Sequence, residues 1–238
     1  GQASLALKIY PDQKTSWAIQ GDLKISGANL RIDKLDDPVE NLEARVEFSR
    51  QGLVWRATQF SYRRLAYQSS GMLSNFSAPQ IKLTLETEDL SASGDFDLTG
   101  RKIKITQLKV QYLDTHFLID GQVDATDSTV LQAELTGRIN LRLDNLSRLL
   151  EKSYPKIKDA SAYGELDAQF KFKGPLMNLK SCYLQAKVNG SSFSLYGLKA
   201  GGLILDFLYE QSLAKIPAIY MTFYDGVVQG SGALNLNT

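Results

Sequence analysis

The chain alternates apolar and polar residues almost from end to end, and a period of two confines it to extended strands. The pattern is plain in Asp22-Leu23-Lys24-Ile25-Ser26, Ile81-Lys82-Leu83-Thr84-Leu85-Glu86 and Lys102-Ile103-Lys104-Ile105-Thr106. It recurs in Leu131-Gln132-Ala133-Glu134-Leu135, Arg138-Ile139-Asn140-Leu141-Arg142 and Leu166-Asp167-Ala168-Gln169-Phe170-Lys171-Phe172. Each stretch makes a strand with one dry face and one wet face, as in an antiparallel sheet packed on one side only. Ile81, Leu83 and Leu85 therefore share a face. So do Ile103 with Ile105, Ile139 with Leu141, and Leu166 with Phe170 and Phe172.

Ser26-Gly27, Gln51-Gly52, Ser93-Gly94, Asn189-Gly190 and Asp225-Gly226 read as the turns between strands. One stretch reads as helix, over 144–152: Asp144 caps it, Leu146, Leu149 and Leu150 have helical spacing, and Pro155 bounds it. Asp37-Pro38-Val39-Glu40 fits either a helical turn or a plain turn. A weak repeat also runs through the chain. Tyr62 precedes Gly71 by nine residues, Tyr112 precedes Gly121 by nine, and Tyr224 precedes Gly232 by eight. The first two copies are offset by 50 residues, as a duplicated strand-turn-strand module would be. No linker or change of composition divides residues 1–238, so one continuous domain is expected. Strand-like sequence at Leu5–Ile9 and again at 233–237 suggests a piece of a longer chain.

With 238 residues, 43% of them apolar and 22% charged, the chain can bury a core and is not of disordered composition. Its 27 basic and 26 acidic residues nearly cancel, which gives no footprint for nucleic acid. A single cysteine, Cys182, excludes an internal disulfide, and a single histidine, His116, removes most structural zinc arrangements. No apolar run is long enough to span a bilayer as a helix, and the first residues do not form a signal peptide.

The chain carries no nucleophile elbow, phosphate loop, zinc-protease helix or Cys-x-x-Cys pair. Gly230-Ser231-Gly232 lacks the third glycine and following helix of a dinucleotide loop, and is read as strand with close backbone approach. His116 is read as a turn residue without a catalytic partner, and Cys182 as a buried, inert thiol. Glu86, Glu88, Asp89, Asp95 and Asp97 have the spacing of a solvated strand face rather than of a calcium loop. Arg45, Arg50, Arg56, Arg63 and Arg64 form a locally basic stretch that fits a lipid headgroup contact or, as the plainer reading, outward arginines that keep a sheet soluble. Trp17 and Trp55 read as core or groove wall. No enzyme, metal site or cofactor is expected.

The final third resembles the AsmA-like family of bacterial envelope proteins. The residues that carry the likeness are the helix segment 143–150, Gly164-Glu165-Leu166 opening a strand, and Lys173-Gly174-Pro175-Leu176-Met177-Asn178-Leu179-Lys180 as a recurrent turn. The fullest match is 219–234, where Tyr224-Asp225-Gly226 precedes a Gly230-Ser231-Gly232 strand; Asp225 stands where the family often has glycine. The resemblance implies an all-β fold with one short helix, an elongated and curled antiparallel sheet whose apolar side forms a groove. It further implies phospholipid acyl chains as partners, a periplasmic location and an inner-membrane anchor elsewhere in the parent chain. Ile81, Leu83, Leu85, Ile103, Ile105, Ile139, Leu141, Leu166, Phe170 and Phe172 would then line the groove, with no catalytic residues. Alternation by itself fits a sandwich, a barrel or a groove. A second role stays open: assembly of outer-membrane proteins, with client strands bound at the sheet edge.

Overall fold

The computed structural model describes residues 1–10, 18–33, 35–127, 130–145, 161–176, 178–224 and 226–236. The fold is all-β and antiparallel, and the sheet order of its fifteen strands is their order in the chain. The chain divides into two compact units, Gly1–Gly100 and Arg101–Thr238. The first holds β1 (Gln2–Tyr10), β2 (Ala18–Leu30), β3 (Val39–Ser49), β4 (Gly52–Tyr62), β5 (Leu65–Ser74), β6 (Gln80–Glu86) and β7 (Leu90–Thr99). The second holds β8 (Lys102–Tyr112), β9 (Thr115–Asp124), β10 (Gln132–Arg142) and β11 (Tyr163–Pro175). It continues through a 3-10 turn, Leu179–Ser181, into β12 (Tyr183–Leu195), β13 (Leu198–Glu210), β14 (Leu213–Phe223) and β15 (Gly226–Asn235).

Alternation sets the strands, and the loops set their register. Two-residue loops join Tyr62 to Leu65, Tyr112 to Thr115, Leu195 to Leu198 and Glu210 to Leu213. Arg63 and Arg64 (φ 49° and 67°) and Gln211 and Ser212 (φ 50° and 64°) both take left-handed backbone. Two successive left-handed residues twist a hairpin the way its strands already twist, so the loop closes without splaying them.

Several expected turns lie elsewhere. Ser26-Gly27 sits inside β2 at a register shift, with Gly27 at φ 60°, so it is a bulge. Ser93-Gly94 and Asn189-Gly190 lie within β7 and β12. At Gly190 the physical reason is a neighbour: a Cβ there would lie 2.5 Å from Leu166 Cδ2 on β11. Asp225 lies outside the described residues. Residues 37–40 lead directly into β3 and form no helical turn. Helix is present at 143–145; the remainder of the expected 144–152 helix and Pro155 lie outside the described residues, as does Trp17. The Asp144 carboxylate accepts from Arg142 Nε at 3.3 Å.

The 50-residue offset holds for whole elements. β4 and β5 run 52–62 and 65–74, and β8 and β9 run 102–112 and 115–124. Tyr62 and Tyr112 each close the first strand of their hairpin, whereas Tyr224 lies in the β14–β15 loop itself. The third copy is therefore not equivalent to the first two.

Within each unit the substantial contacts run between sheet neighbours, with the 3-10 turn against β11 as the one addition. Among the described residues the strands of each unit belong to one sheet, and neither unit pairs its first strand with its last, so neither closes into a barrel. Partial exposure along the apolar side argues against a second layer packed over it. Burial follows suit. Among the described residues no large side chain is fully buried, and Leu42, Ile105, Ala133, Cys182, Ala200 and Leu203 make up the buried apolar set.

Candidate functional site

The residues expected to share faces do share them. Ile81, Leu83 and Leu85 lie partly buried on one side of β6, with Lys82, Thr84 and Glu86 exposed on the other. Register carries this face across the first unit: Ile81 lies between Leu73 and Phe96, and Leu83 between Gly71 and Gly94. Trp55 pairs with Gly71, and a Cβ on that glycine would come within 2.3 Å of the indole. The glycine leaves the space that the ring occupies over the neighbouring strand. The indole Nε1 donates to Ser69 Oγ at 3.1 Å, which satisfies the one polar atom the tryptophan brings to an apolar surface. Phe60 and Tyr67, directly opposite one another, stack with centroids 5.2 Å apart.

In the second unit the other seven residues join continuous apolar rows. One row runs Ile105, Gly121, Leu135, Phe172, Leu184 and Tyr209. Another runs Val110, Phe117, Ile139, Ala168, Val188 and Leu205. Phe170 lies opposite Gly137, where a Cβ would meet its ring at 2.6 and 2.7 Å, repeating the Trp55–Gly71 device. Ile103 continues through Val123 to Ala133, and Leu141 pairs with Leu166. Of the ten residues only Ile105, 8% exposed, is buried in the strict sense; the rest keep part of their surface open. A face walled by a second layer would hold most of them near zero exposure.

Trp55, Phe117, Ile119, Leu135, Leu184 and Phe207 extend the face beyond the expected set. Alternation marks Leu135 and Leu184. Glycines at 121 and 137 occupy apolar positions and interrupt the pattern, and apolar Leu118 on the wet face, 38% exposed, hides the alternation of Phe117 and Ile119.

The opposite face is polar, and register sets many of its charges opposite partners, the arrangement that stabilises neighbouring strands. Lys82 reaches Asp95 at 3.8 Å, Lys102 reaches Asp124 at 3.8 Å, and Lys173 reaches Glu134 at 3.9 Å. Arg45 pairs with Asp22 at 3.3 Å, and Arg63 with Asp36 and with Asp37, the latter at 2.9 Å, so these arginines point outward as expected. Hydrogen bonds from Thr126, aided by Lys102, hold the Asp124 carboxyl below its ordinary value. Arg142 sits among Asp144, Asp114 and Glu165, and the Asp144 hydrogen bond raises its already high value. His116 is exposed at the start of β9, opposite Asn140. Cys182 is 4% exposed, and burial pushes its thiol up, away from the reactive thiolate.

The arrangement thus offers a broad, partly exposed apolar surface among the described residues. The class it defines is an open antiparallel meander with one continuous apolar face in each unit. Comparisons with protein-family models, curated proteins and solved structures found no match.

Proposed function

We propose that the apolar face binds lipid acyl chains, as a lipid-carrying segment of a periplasmic protein that bridges the inner and outer membranes. One observation carries the reading: among the described residues, a face built of Leu, Ile, Val, Phe and Trp stays partly exposed in both units, and every paired strand belongs to the one sheet that bears it. Apolar surface left in water forfeits about 25 cal/mol per Å². Contiguous apolar patches beyond a few hundred Å² are uncommon on soluble proteins and mark an interaction surface. Acyl chains suit this face because it is broad, largely aliphatic and free of charge along its rows. An extended polypeptide segment lying on the face would need hydrogen-bond partners that the face does not supply. The likeness of 143–236 to AsmA-like proteins points the same way, and with it come the periplasmic location and the anchor elsewhere in the parent chain.

Native mass spectrometry, with lipid extraction of the purified chain, tests the reading. Phospholipid should accompany the folded protein and be exchanged with vesicles. A folded, monomeric chain that neither retains phospholipid nor takes it up would refute it. The assembly role would set a client strand beside β15, every residue of which is exposed and none charged. Binding of an outer-membrane strand peptide to lipid-free protein, abolished by Gln229→Pro in β15, would favour that role instead.

A further inference from the structure

We propose a second site, on the polar face of the Arg101–Thr238 unit, that binds a phosphate-bearing anion through Arg138, Lys171 and Lys187. The three residues line an open hollow of 740 Å³, together with the amides of Gln169 and Gln185. Register explains the convergence. Arg138 and Lys187 stand on either side of Gln169 in one cross-strand row, and Lys171 lies two residues along β11 from that glutamine. With strands about 4.8 Å apart and alternate residues about 6.8 Å apart, Lys171 lies about 8 Å from each of the other two at Cα. Side chains of that length reach a common point above Gln169.

What distinguishes this cluster is that three cations without ion pairs converge on one hollow. Elsewhere on the face Lys102 and Lys173 have acidic residues directly opposite. Here Arg138 stands between Leu118 and Gln169, and Lys171 between Thr136 and Gln185. Among the described residues, none of the three cations forms an ion pair. Four carboxylates are near. Asp167, two residues along β11 on the other side of Gln169, accepts from Asn140 Nδ2 at 3.0 Å, and Glu134 pairs with Lys173 at 3.9 Å. Asp120, which also lines the hollow, accepts from Thr136 Oγ1 at 3.1 Å. Asp206 stands opposite Lys187 without an ion pair to it. Lys109, beside Leu118, adds a fourth positive charge to the surroundings. An arginine fork with two lysines and two amide donors is the chemistry that recognises a phosphate group, free or on a lipid headgroup.

Because Phe170 lies between Gln169 and Lys171 in β11, the anion site and the apolar face are on opposite sides of the same strand. One bound lipid cannot satisfy both, so the site stands whether or not the apolar face takes acyl chains. Calorimetric titration with inorganic phosphate and with pyrophosphate tests the free-anion source. Flotation with phosphatidylcholine vesicles, with and without phosphatidylglycerol, tests the headgroup source. Binding in either arm should weaken with added salt. It should fall at least about tenfold in the triple variant Arg138→Gln, Lys171→Gln, Lys187→Gln, a loss of about 1.4 kcal/mol or more. Lys104→Gln, on the same face but outside the hollow, should bind like the parent. All four side chains are exposed, so circular dichroism should be unchanged. Absence of binding in both arms, or a triple variant that binds as the parent does, would overturn the site. Equal flotation with neutral and anionic vesicles, without phosphate binding, would do so as well.

Discussion

Leu83 and Thr84 are adjacent in β6 and face opposite ways, so aspartate at each position separates surface chemistry from stability. Leu83 is partly buried and stands between Gly71 and Gly94, which contribute no side chains to pack against it. Full burial of a leucine contributes about 1.5–3 kcal/mol. For a partly open site with glycine neighbours the loss should be about 1–2 kcal/mol, with little cavity penalty. Water reaches the new carboxylate from the open side, so the severe cost of an enclosed, unpaired charge does not arise. Thr84→Asp removes the hydroxyl hydrogen bond to the Ser70 carbonyl at 3.1 Å, a loss of about 1 kcal/mol. At about 2–4 °C per kcal/mol, both variants should melt within about 8 °C of the parent. Bound phospholipid is what should divide them. Leu83→Asp should lose most of it, since a charge among acyl chains is costly, and Thr84→Asp should keep it. Thermal melting and lipid extraction from the same preparations read both quantities. Equal lipid content in two folded variants would refute the acyl-binding face. A Leu83→Asp chain too unstable to fold, a loss beyond about 4–5 kcal/mol, would mean that the face is enclosed after all.

Three further outcomes follow from particular contacts. Gly137→Val should destabilise the chain by about 1–3 kcal/mol in urea, because its Cβ would meet both the Phe170 ring and the Leu118 carbonyl oxygen, 2.5 Å away; an unchanged midpoint would sink this packing. Asp124 has a depressed value in the folded state, so its stabilisation is present above the unfolded carboxyl's pKa, about 3.9, and is lost as pH falls through the folded value. Asp124→Asn should therefore flatten acid unfolding below about pH 4, and an unaltered acid limb would contradict it. The Cys182 thiol should react with a disulfide reagent at mildly alkaline pH only after denaturant is added, and rapid labelling of the native chain would show the thiol to be open.

The strands and the shared faces were legible because alternation acts locally: a residue's side of the sheet follows from its parity within its own strand. Loops were less legible. Ser93-Gly94 and Asn189-Gly190 carry turn chemistry yet lie in strands, Gly190 making room for Leu166 on the neighbouring strand. Conversely Arg63-Arg64 and Gln211-Ser212 form left-handed hairpin loops with residues that ordinarily avoid such backbone. The twist of the paired strands overrides their preference, and that pressure is invisible within a short window. The apolar face was legible strand by strand, while its continuity depended on register. The cationic hollow shows the limit most plainly. Arg138, Lys171 and Lys187 look like ordinary wet-face charges, and only the pairing of β10, β11 and β12 brings them around Gln169.

The matched bounds of β4–β5 and β8–β9, fifty residues apart, give this architecture a simple rule of growth. A hairpin closed by a two-residue loop adds two strands whose parity is fixed by the loop itself, so each new copy presents its apolar residues on the side already apolar. Strands within a unit contact their sheet neighbours, so stability accrues from nearest-neighbour pairings, as it does in repeat proteins. Such a sheet lengthens without enclosing a core, and its apolar face widens in proportion. A two-layer fold cannot grow this way, because each added strand would demand a matching strand opposite. The open apolar face is thus a direct consequence of building by hairpin addition alone. The glycines beneath Trp55 and Phe170 keep that face smooth where large rings cross from one strand to the next.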